Sequence, residues 1–277
     1  MNPWLVFILI VAGLFLVMYT IALIKRPGSR YQGKPEEQNP MEGKMVRFVT
    51  GKKEKENADG AQGHLEAAGP SSHKAGIYEK AGKRILDLIL SFGGMVILSP
   101  VFAFISLWIF FDDPGPVLFT QKRIGKDKQF FALHKFRSMK LSTPHNVPTH
   151  MLEDPEQYIT RSGRFLRVHS LDELPQLWDI FTGNMSFVGP RPALWNQELL
   201  TAERDKYGAN DIKPGLTGWA QINGRDKLKI PEKAKLDGEY TQGLCLKKDI
   251  ECIFKSFHVI GRDRSVVEGG SGKMRKR

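Results

Sequence analysis

An apolar stretch with a proline at its middle constrains this chain more than any other feature. Residues 85–111 read ILDLILSFGGMVILSPVFAFISLWIFF, with Ser99-Pro100 near the centre. The stretch is long enough to reach across a hydrocarbon core. Proline lacks the N–H and clashes with the preceding turn, so a continuous helix kinks or breaks there. The flanks add a second constraint. Lys80, Lys83 and Arg84 precede the stretch, and residues 122–140 carry seven basic side chains against one acid, Asp127. Basic clusters stay on the cytoplasmic side of a membrane, so a straight span would strand one of the two. A helix–break–helix that enters and returns keeps both inside, with the Ser99 hydroxyl helping to satisfy backbone freed at the break. The expectation is a re-entrant membrane segment over residues 80–112.

A mean hydropathy of −0.30 conceals a second such stretch. Residues 4–24, WLVFILIVAGLFLVMYTIALI, contain no charge. At 1.5 Å per residue they extend about 31 Å, enough to cross the bilayer. They lack the basic start, short core and small-residue cleavage site of a signal peptide, and Lys25, Arg26 and Arg30 follow them. Residues 1–25 therefore read as a retained transmembrane anchor with its basic end cytoplasmic. Residues 26–79 are poor in aliphatics and rich in Gly, Pro, Lys, Glu and Gln, which predicts a flexible linker. Residues 269–277 form a basic tail.

What remains, residues 113–268, is predicted to be a small cytoplasmic α+β domain, mainly helical, with short strands and amphipathic helices. VLFTQKRI and FFALHKF alternate as strands about a turn at Gly125-Lys126-Asp127. LPQLWDIFTG has helical spacing and a glycine stop, and LWNQELLTAERDKYG is an amphipathic helix ending at Gly208. Pro214-Gly215 and Asn223-Gly224 read as turns. In the last helix, Cys245 and Cys252 read as packing residues on one face. Two cysteines rule out a disulfide framework, and their spacing is not a zinc pattern. No Gly-rich phosphate loop, HExxH or GxSxG is present, which removes several enzyme classes.

Short polar constellations crowd this domain. In Ser170-Leu-Asp172-Glu173-Leu-Pro175 the S-x-x-E spacing is that of a capping box, and acids suit a helix start. Pro175 fits better if Asp172 is the cap, because proline is tolerated only in the first turn. The alternative is a carboxylate nucleophile, Asp172, assisted by Glu173. Gly189-Pro190-Arg191-Pro192 fixes the backbone around one guanidinium, either as a rigid turn or as a bidentate phosphate contact. Lys135-Phe-Arg137, Arg164-Phe-Leu-Arg167 and Asn223-Gly224-Arg225-Asp226 read as basic faces, local pairs or further phosphate contacts. Together they place many cations and several carboxylates beside a membrane, as a phosphate-rich, lipid-linked substrate would require.

With KRILDLILSF, DPGPVLFTQKRIGKDKQFFALHKFRSM, TRSGRFLRVHSLDELPQLWDIFTGNMSFVGPRP and IKPGLTGWAQINGRD in order, the chain resembles the bacterial sugar transferases, or monotopic phosphoglycosyl transferases. The likeness covers roughly two-thirds of it, residues 80–261. The resemblance implies transfer of a sugar phosphate from a UDP-sugar to a polyprenyl phosphate, usually undecaprenyl phosphate, with release of UMP. It implies the Ser99-Pro100 membrane break and a catalytic dyad, Asp172 as nucleophile and Glu173 beside it, with Mg²⁺ held at the same pair. Lys135, Arg164, Arg167, Arg191, Arg225 and Asp237 are the expected substrate contacts. The implied location is the cytoplasmic face of the bacterial inner membrane, at the first step of glycan assembly. A homodimer and other glycan-assembly enzymes are candidate partners. After Asn223-Gly224-Arg225 the chain runs LKIPEKAKLDGEY where the family commonly has a tryptophan, so the sugar pocket departs from the pattern there.

Two other classes compete. A net charge of +11 is compatible with a tethered binder of nucleic acid or anionic lipid, which would need a contiguous basic patch and neither acid of the dyad. A catalytically silent scaffold for glycan assembly would not need an intact dyad and Pro-Arg-Pro. No nucleic-acid partner is expected, and no motif selects among donor sugars.

Overall fold

A computed structural model of the chain describes residues 38–51, 54, 56–70, 73–143 and 155–262, the side chains of 155, 226 and 257–262 excepted. The expected anchor within residues 1–25 and the tail 269–277 lie outside the described residues. The first elements are β1 (Lys44–Thr50) and β2 (Gly63–Pro70), an antiparallel hairpin with a register shift between Met45 and Val46. Over its two strands this corrects the reading of residues 26–79 as a flexible linker, and residues 26–37 of that stretch lie outside the described residues. The hairpin buries little apolar surface, chiefly Val46 and Ala58. Polar ties order it instead: Val46 N donates to Asp205 Oδ2 at 2.7 Å, Asn39 Nδ2 to Lys128 O at 2.7 Å and Leu200 N to Asp59 Oδ2 at 3.1 Å. A composition argument cannot see bonds of this kind.

A π-helical turn, Tyr78–Gly82, leads into α1 (Lys83–Ile97) and α2 (Ser99–Asp112), which meet at a 60° bend. The break falls at Leu98, and Pro100 lies in the first turn of α2, where its missing N–H costs nothing. Ser99 Oγ donates to Val96 O at 2.8 Å, satisfying a carbonyl left open at the bend. Among the described residues no single helix is long and apolar enough to cross a membrane, whereas this bent pair is by length and composition. Its inner face enters the core: Phe102, Ile105 and Ile109 pack with Phe131, Leu133, Phe136, Leu177 and Ile180. Each such burial stabilises by roughly 1.5–3 kcal/mol. The outer face leaves Ile85, Ile89, Phe92, Ile97, Phe104 and Phe111 exposed.

Both ends of the pair are fastened to the same body. At the start, Arg84 donates from Nη1 to Ile180 O (2.7 Å) and from Nη2 to Phe181 O (2.8 Å). At the end, Asp112 Oδ2 accepts from Ser162 N (2.9 Å) and Oγ (2.8 Å), and Asp113 pairs with Arg137 at 3.5 Å. α1 and α2 form a chevron lying along one side of the domain.

β3 (Leu118–Ile124) and β4 (Phe130–Phe136) then pair antiparallel, with Asp127 and Lys128 at positive φ in the connecting turn, as the alternation predicts. α3 (Arg161–Val168) is capped by the Thr160 hydroxyl, and α4 (Gln176–Thr182) ends at Gly183 with φ of 94°. β5 (Ser186–Val188), α5 (Glu198–Asp205), β6 (Gly215–Thr217), α6 (Trp219–Ile222), α7 (Ile230–Gln242) and α8 (Leu246–Arg262) complete the described chain. Pro214-Gly215 is not a turn: it feeds β6, which pairs parallel with β5. Cys252 is buried as expected, whereas Cys245 precedes α8 and is exposed.

The second core cluster holds Val188, Ile212, Tyr240 and Cys252, and a polar knot ties it to α1. Lys83 Nζ meets Asp249 Oδ2 at 2.5 Å, and Tyr78 and Tyr240 donate to the same carboxylate. Removing one member of such a pair leaves an uncompensated buried charge. Lys83→Met and Asp249→Leu should each lower unfolding free energy by about 3 kcal/mol, and together by clearly less than the sum. Denaturant unfolding of the detergent-extracted protein measures this cycle; simple additivity would refute the coupling.

Candidate active site

The chain turns sharply between α3 and α4. Ser170 takes a left-handed conformation (φ 55°), Leu171–Glu173 form a single 3₁₀ turn, and Pro175 opens α4. Neither helix start carries a side-chain cap from Ser170 or Asp172, so the capping-box reading does not hold. Only the Glu173 backbone N–H bonds back to Ser170, donating to its carbonyl at 3.3 Å, while the Ser170 N–H donates to Arg167 O. The Glu173 carboxylate points instead to two cations. Arg191 Nη2 lies 2.6 Å from Glu173 Oε1, and Lys135 Nζ 3.3 Å from the same oxygen. Asp172 sits beside it, only 4% exposed.

Three elements therefore converge, and each is held in place. Lys135 comes from β4, whose neighbour His134 is fixed by Asp179 of α4: Nδ1 to Oδ1 at 2.6 Å and the backbone N–H to Oδ2 at 2.9 Å. That clamp sets β4 against the helix that follows the dyad. Arg191 comes from the Gly189–Pro192 loop. A Cβ on Gly189 would stand 2.5 Å from Lys213 O, so the close approach of the strand leading to β6 requires glycine there. Two further guanidiniums grip the loop's carbonyls: Arg123 Nη1 donates to Pro192 O (3.0 Å) and Arg204 Nη1 to Arg191 O (2.9 Å).

Of the expected substrate contacts, Lys135 and Arg191 meet at Glu173. Arg167 donates from Nε to Ser138 Oγ at 2.8 Å, just beyond β4. Arg164 is exposed on α3, and Arg225 sits in its own turn with φ of 54°; the described contacts bring neither to Glu173. Asp237 is 1% exposed and bonded to Arg204 Nε (2.8 Å) and Nη2 (2.7 Å). Burial pushes its carboxyl above the ordinary carboxylate range, against the pull of Arg204. It faces Arg204 rather than open space, and it is linked to the Arg191 loop through that guanidinium.

Sequence reasoning missed Gln121, Arg123 and Arg204. The first two had a legible signal. Cross-strand register pairs Phe119 with Lys135, Gln121 with Leu133 and Arg123 with Phe131, placing all three polar residues on one face of the hairpin. Gln121 Oε1 accepts from Arg123 at 2.5 and 3.1 Å, orienting it.

Among the described residues no group of three or more His, Cys, Asp or Glu forms a metal site. Asp172 and Glu173 offer two hard carboxylates, one already bonded to two cations. That donor set fits a Mg²⁺ ion that takes its remaining oxygens from phosphate and water.

The chain is similar to a known family over most of its length. The model of the bacterial sugar transferase family matches residues 78–263. The chain is 38% identical to the UDP-glucose:undecaprenyl-phosphate glucose-1-phosphate transferase of Escherichia coli over 179 residues, 62% of this chain and 38% of that protein. It is 32% identical to the undecaprenyl-phosphate galactose phosphotransferase of Salmonella typhimurium over 201 residues, 65% of this chain and 40% of that protein. It is also 35% identical to the exopolysaccharide production protein PSS of Rhizobium leguminosarum bv. phaseoli over 187 residues, 62% of this chain and 91% of that protein. The chain thus spans about two-fifths of the first two relatives and most of the third.

The Arg204–Asp237 fork yields a direct test. Lysine cannot reproduce the planar fork that serves both Asp237 and the Arg191 carbonyl. Arg204→Lys should lower stability by about 2 kcal/mol, read from the denaturant midpoint. An unchanged midpoint would show that the fork does not hold the loop.

Proposed function

Because the chain belongs to the bacterial sugar transferase family, we propose that it transfers a sugar-1-phosphate from a UDP-sugar to undecaprenyl phosphate. The observation that carries this reading is the convergence of Lys135 and Arg191 on Glu173, next to the nearly buried Asp172. Phosphoryl transfer asks for a positioned nucleophile and neutralisation of phosphate charge more than for acid–base work. The site has both.

In the proposed reaction an Asp172 carboxylate oxygen attacks the phosphorus that bears the sugar. A P–O bond forms, the bond from that phosphorus to the bridging oxygen breaks, and UMP leaves with the electron pair. A phosphate oxygen of undecaprenyl phosphate then attacks the same phosphorus. The acyl–phosphate bond breaks, and Asp172 regains its carboxylate. Arg191 offers two parallel N–H donors to phosphate oxygens, and Lys135 a point charge. Glu173 keeps both cations poised before substrate arrives. Asp172 and Glu173 would hold Mg²⁺, which supplies further charge neutralisation at the diphosphate when bound. Arg167, Arg164 and Arg225 are left as outer contacts for the rest of the donor.

The chevron supports a re-entrant membrane segment. Its outer face is apolar, while Arg84 and Asp112–Asp113 fasten its two ends to one domain. A straight span would separate those ends by the bilayer thickness, about 30 Å. The reading places the domain at the cytoplasmic face of the inner membrane, with residues 4–24 as an added anchor. The competing anionic-ligand binder is disfavoured by the fate of its basic run. Lys128, Lys135 and Arg137 are buried and paired with Asp205, Glu173 and Asp113 instead of forming an open patch.

Detergent-extracted protein with Mg²⁺ and undecaprenyl phosphate should release UMP from one member of a UDP-sugar panel, which names the sugar. Asp172→Asn should lower that rate on the order of 10³-fold or more. Labelled UMP should also exchange into the UDP-sugar without any polyprenyl phosphate, the mark of a covalent intermediate; wild-type rates from the Asn variant would refute Asp172 as nucleophile. Chelation with EDTA should abolish release and added Mg²⁺ restore it, whereas full activity in EDTA would remove the metal from the scheme.

A further inference from the structure

The hairpin of residues 44–70 lies outside the stretch that matches the family model, yet it is bonded to the helix that steadies the Arg191 loop. We propose that this hairpin is a clamp that sets Arg191 against Glu173, and that Asp59 is its chief positioning residue. The inference rests on the reading of Arg191 as a donor contact.

α5 has no cap of its own: Gln197, at its start, makes no side-chain cap bond. The N–H groups of a first helical turn need an acceptor from elsewhere. Asp59 supplies one from 141 residues away, its Oδ2 accepting the Leu200 N–H at 3.1 Å. Leu200 is the third residue of α5, where a capping side chain ordinarily binds. The loop that delivers Asp59 is built for it. Asn57 Oδ1 accepts the N–H groups of Asp59 (2.9 Å) and Ala61 (3.2 Å), and Gly60 takes φ of 75° to close the turn. Ala58 N donates to Asn196 O at 3.1 Å, fastening the same loop to the segment that follows Pro-Arg-Pro.

The other end of α5 is held too. Asp205, its last residue, accepts from Val46 N of β1 at 2.7 Å and from Lys128 Nζ at 3.1 Å. Arg204 lies between these ties and donates to Arg191 O. The chain of contacts therefore runs from Asp59 and Val46 through α5 to Arg204, then through the Arg191 backbone to Glu173. Asp59 touches no reacting atom in this arrangement. Its effect should appear as a less well-placed Arg191, in donor affinity more than in the chemical step.

The test uses the full-length, detergent-extracted protein and the donor sugar that the wild type accepts. Loss of a cap is worth about 1 kcal/mol, so Asp59→Ala should raise the donor KM ~5-fold with kcat within ~2-fold. Asp59→Asn, whose amide oxygen still accepts the Leu200 N–H, should return KM to within ~2-fold of wild type. Hydrogen exchange should quicken over residues 190–193 and 198–205 in the alanine variant and recover in the asparagine variant. A merely structural role would lower the active fraction, and kcat with it, leaving KM alone. If Asp59→Ala does not fold, Asp59→Ser, whose hydroxyl falls one bond short of Leu200, reads the same split. An unchanged KM in a folded variant, with quicker exchange confined to residues 57–62, would overturn the clamp. If the wild type turns over no donor, the proposed function fails while the clamp is still judged: unchanged exchange at 190–193 overturns it, and quickened exchange restored by Asn upholds it.

Discussion

Taking a charge out of water costs several kcal/mol unless a partner comes with it, and this chain takes many charges out of water. Lys83 with Asp249, Lys128 with Asp205 and Arg204 with Asp237 each join segments far apart in sequence. The pairings select one arrangement of the elements, because any other leaves a buried ion alone. The small strands do little of this work. The described sheets have two strands each, and the apolar core would tolerate several ways of stacking them. Pairing singles out one.

The same constraint explains what could be read from the sequence. β3, β4 and α4 announce themselves through alternation, helical spacing and a glycine stop, because those patterns are local. The Ser99-Pro100 break is local as well, and the hydroxyl–carbonyl bond at the bend follows from proline chemistry. The β1–β2 hairpin could not be read. Its order comes from Asp59, Asn39 and a backbone N–H finding partners more than 80 residues away, and no window of composition records that. Pro214-Gly215 looked like a turn for the same reason: β6 exists because β5 lies beside it.

At the site, residue type was more legible than role. Asp172, Glu173, Lys135 and Arg191 stand out as charges in rigid or patterned surroundings. Asp237 stands out equally by type, yet it is spent on Arg204 and reaches the site only through a carbonyl. Arg204 sits in an amphipathic helix where an arginine ordinarily faces solvent, so nothing in its spacing marks it. Three members of the basic run of residues 122–140, Lys128, Lys135 and Arg137, proved buried, each paired with an acid from elsewhere in the chain.

The bend between α1 and α2 has a mechanical consequence. Legs of 15 and 14 residues are each about 21 Å long. With a 60° bend shared equally, the apex lies only ~10 Å below the plane of its two ends, about a third of a hydrocarbon core. If the pair enters a membrane as proposed, a wedge of that depth would occupy one leaflet and leave the opposite one untouched. Such a wedge would add area to a single monolayer, so membranes whose domain-side monolayer is loosely packed or bowed toward the domain would admit it at lower cost than flat, tightly packed ones.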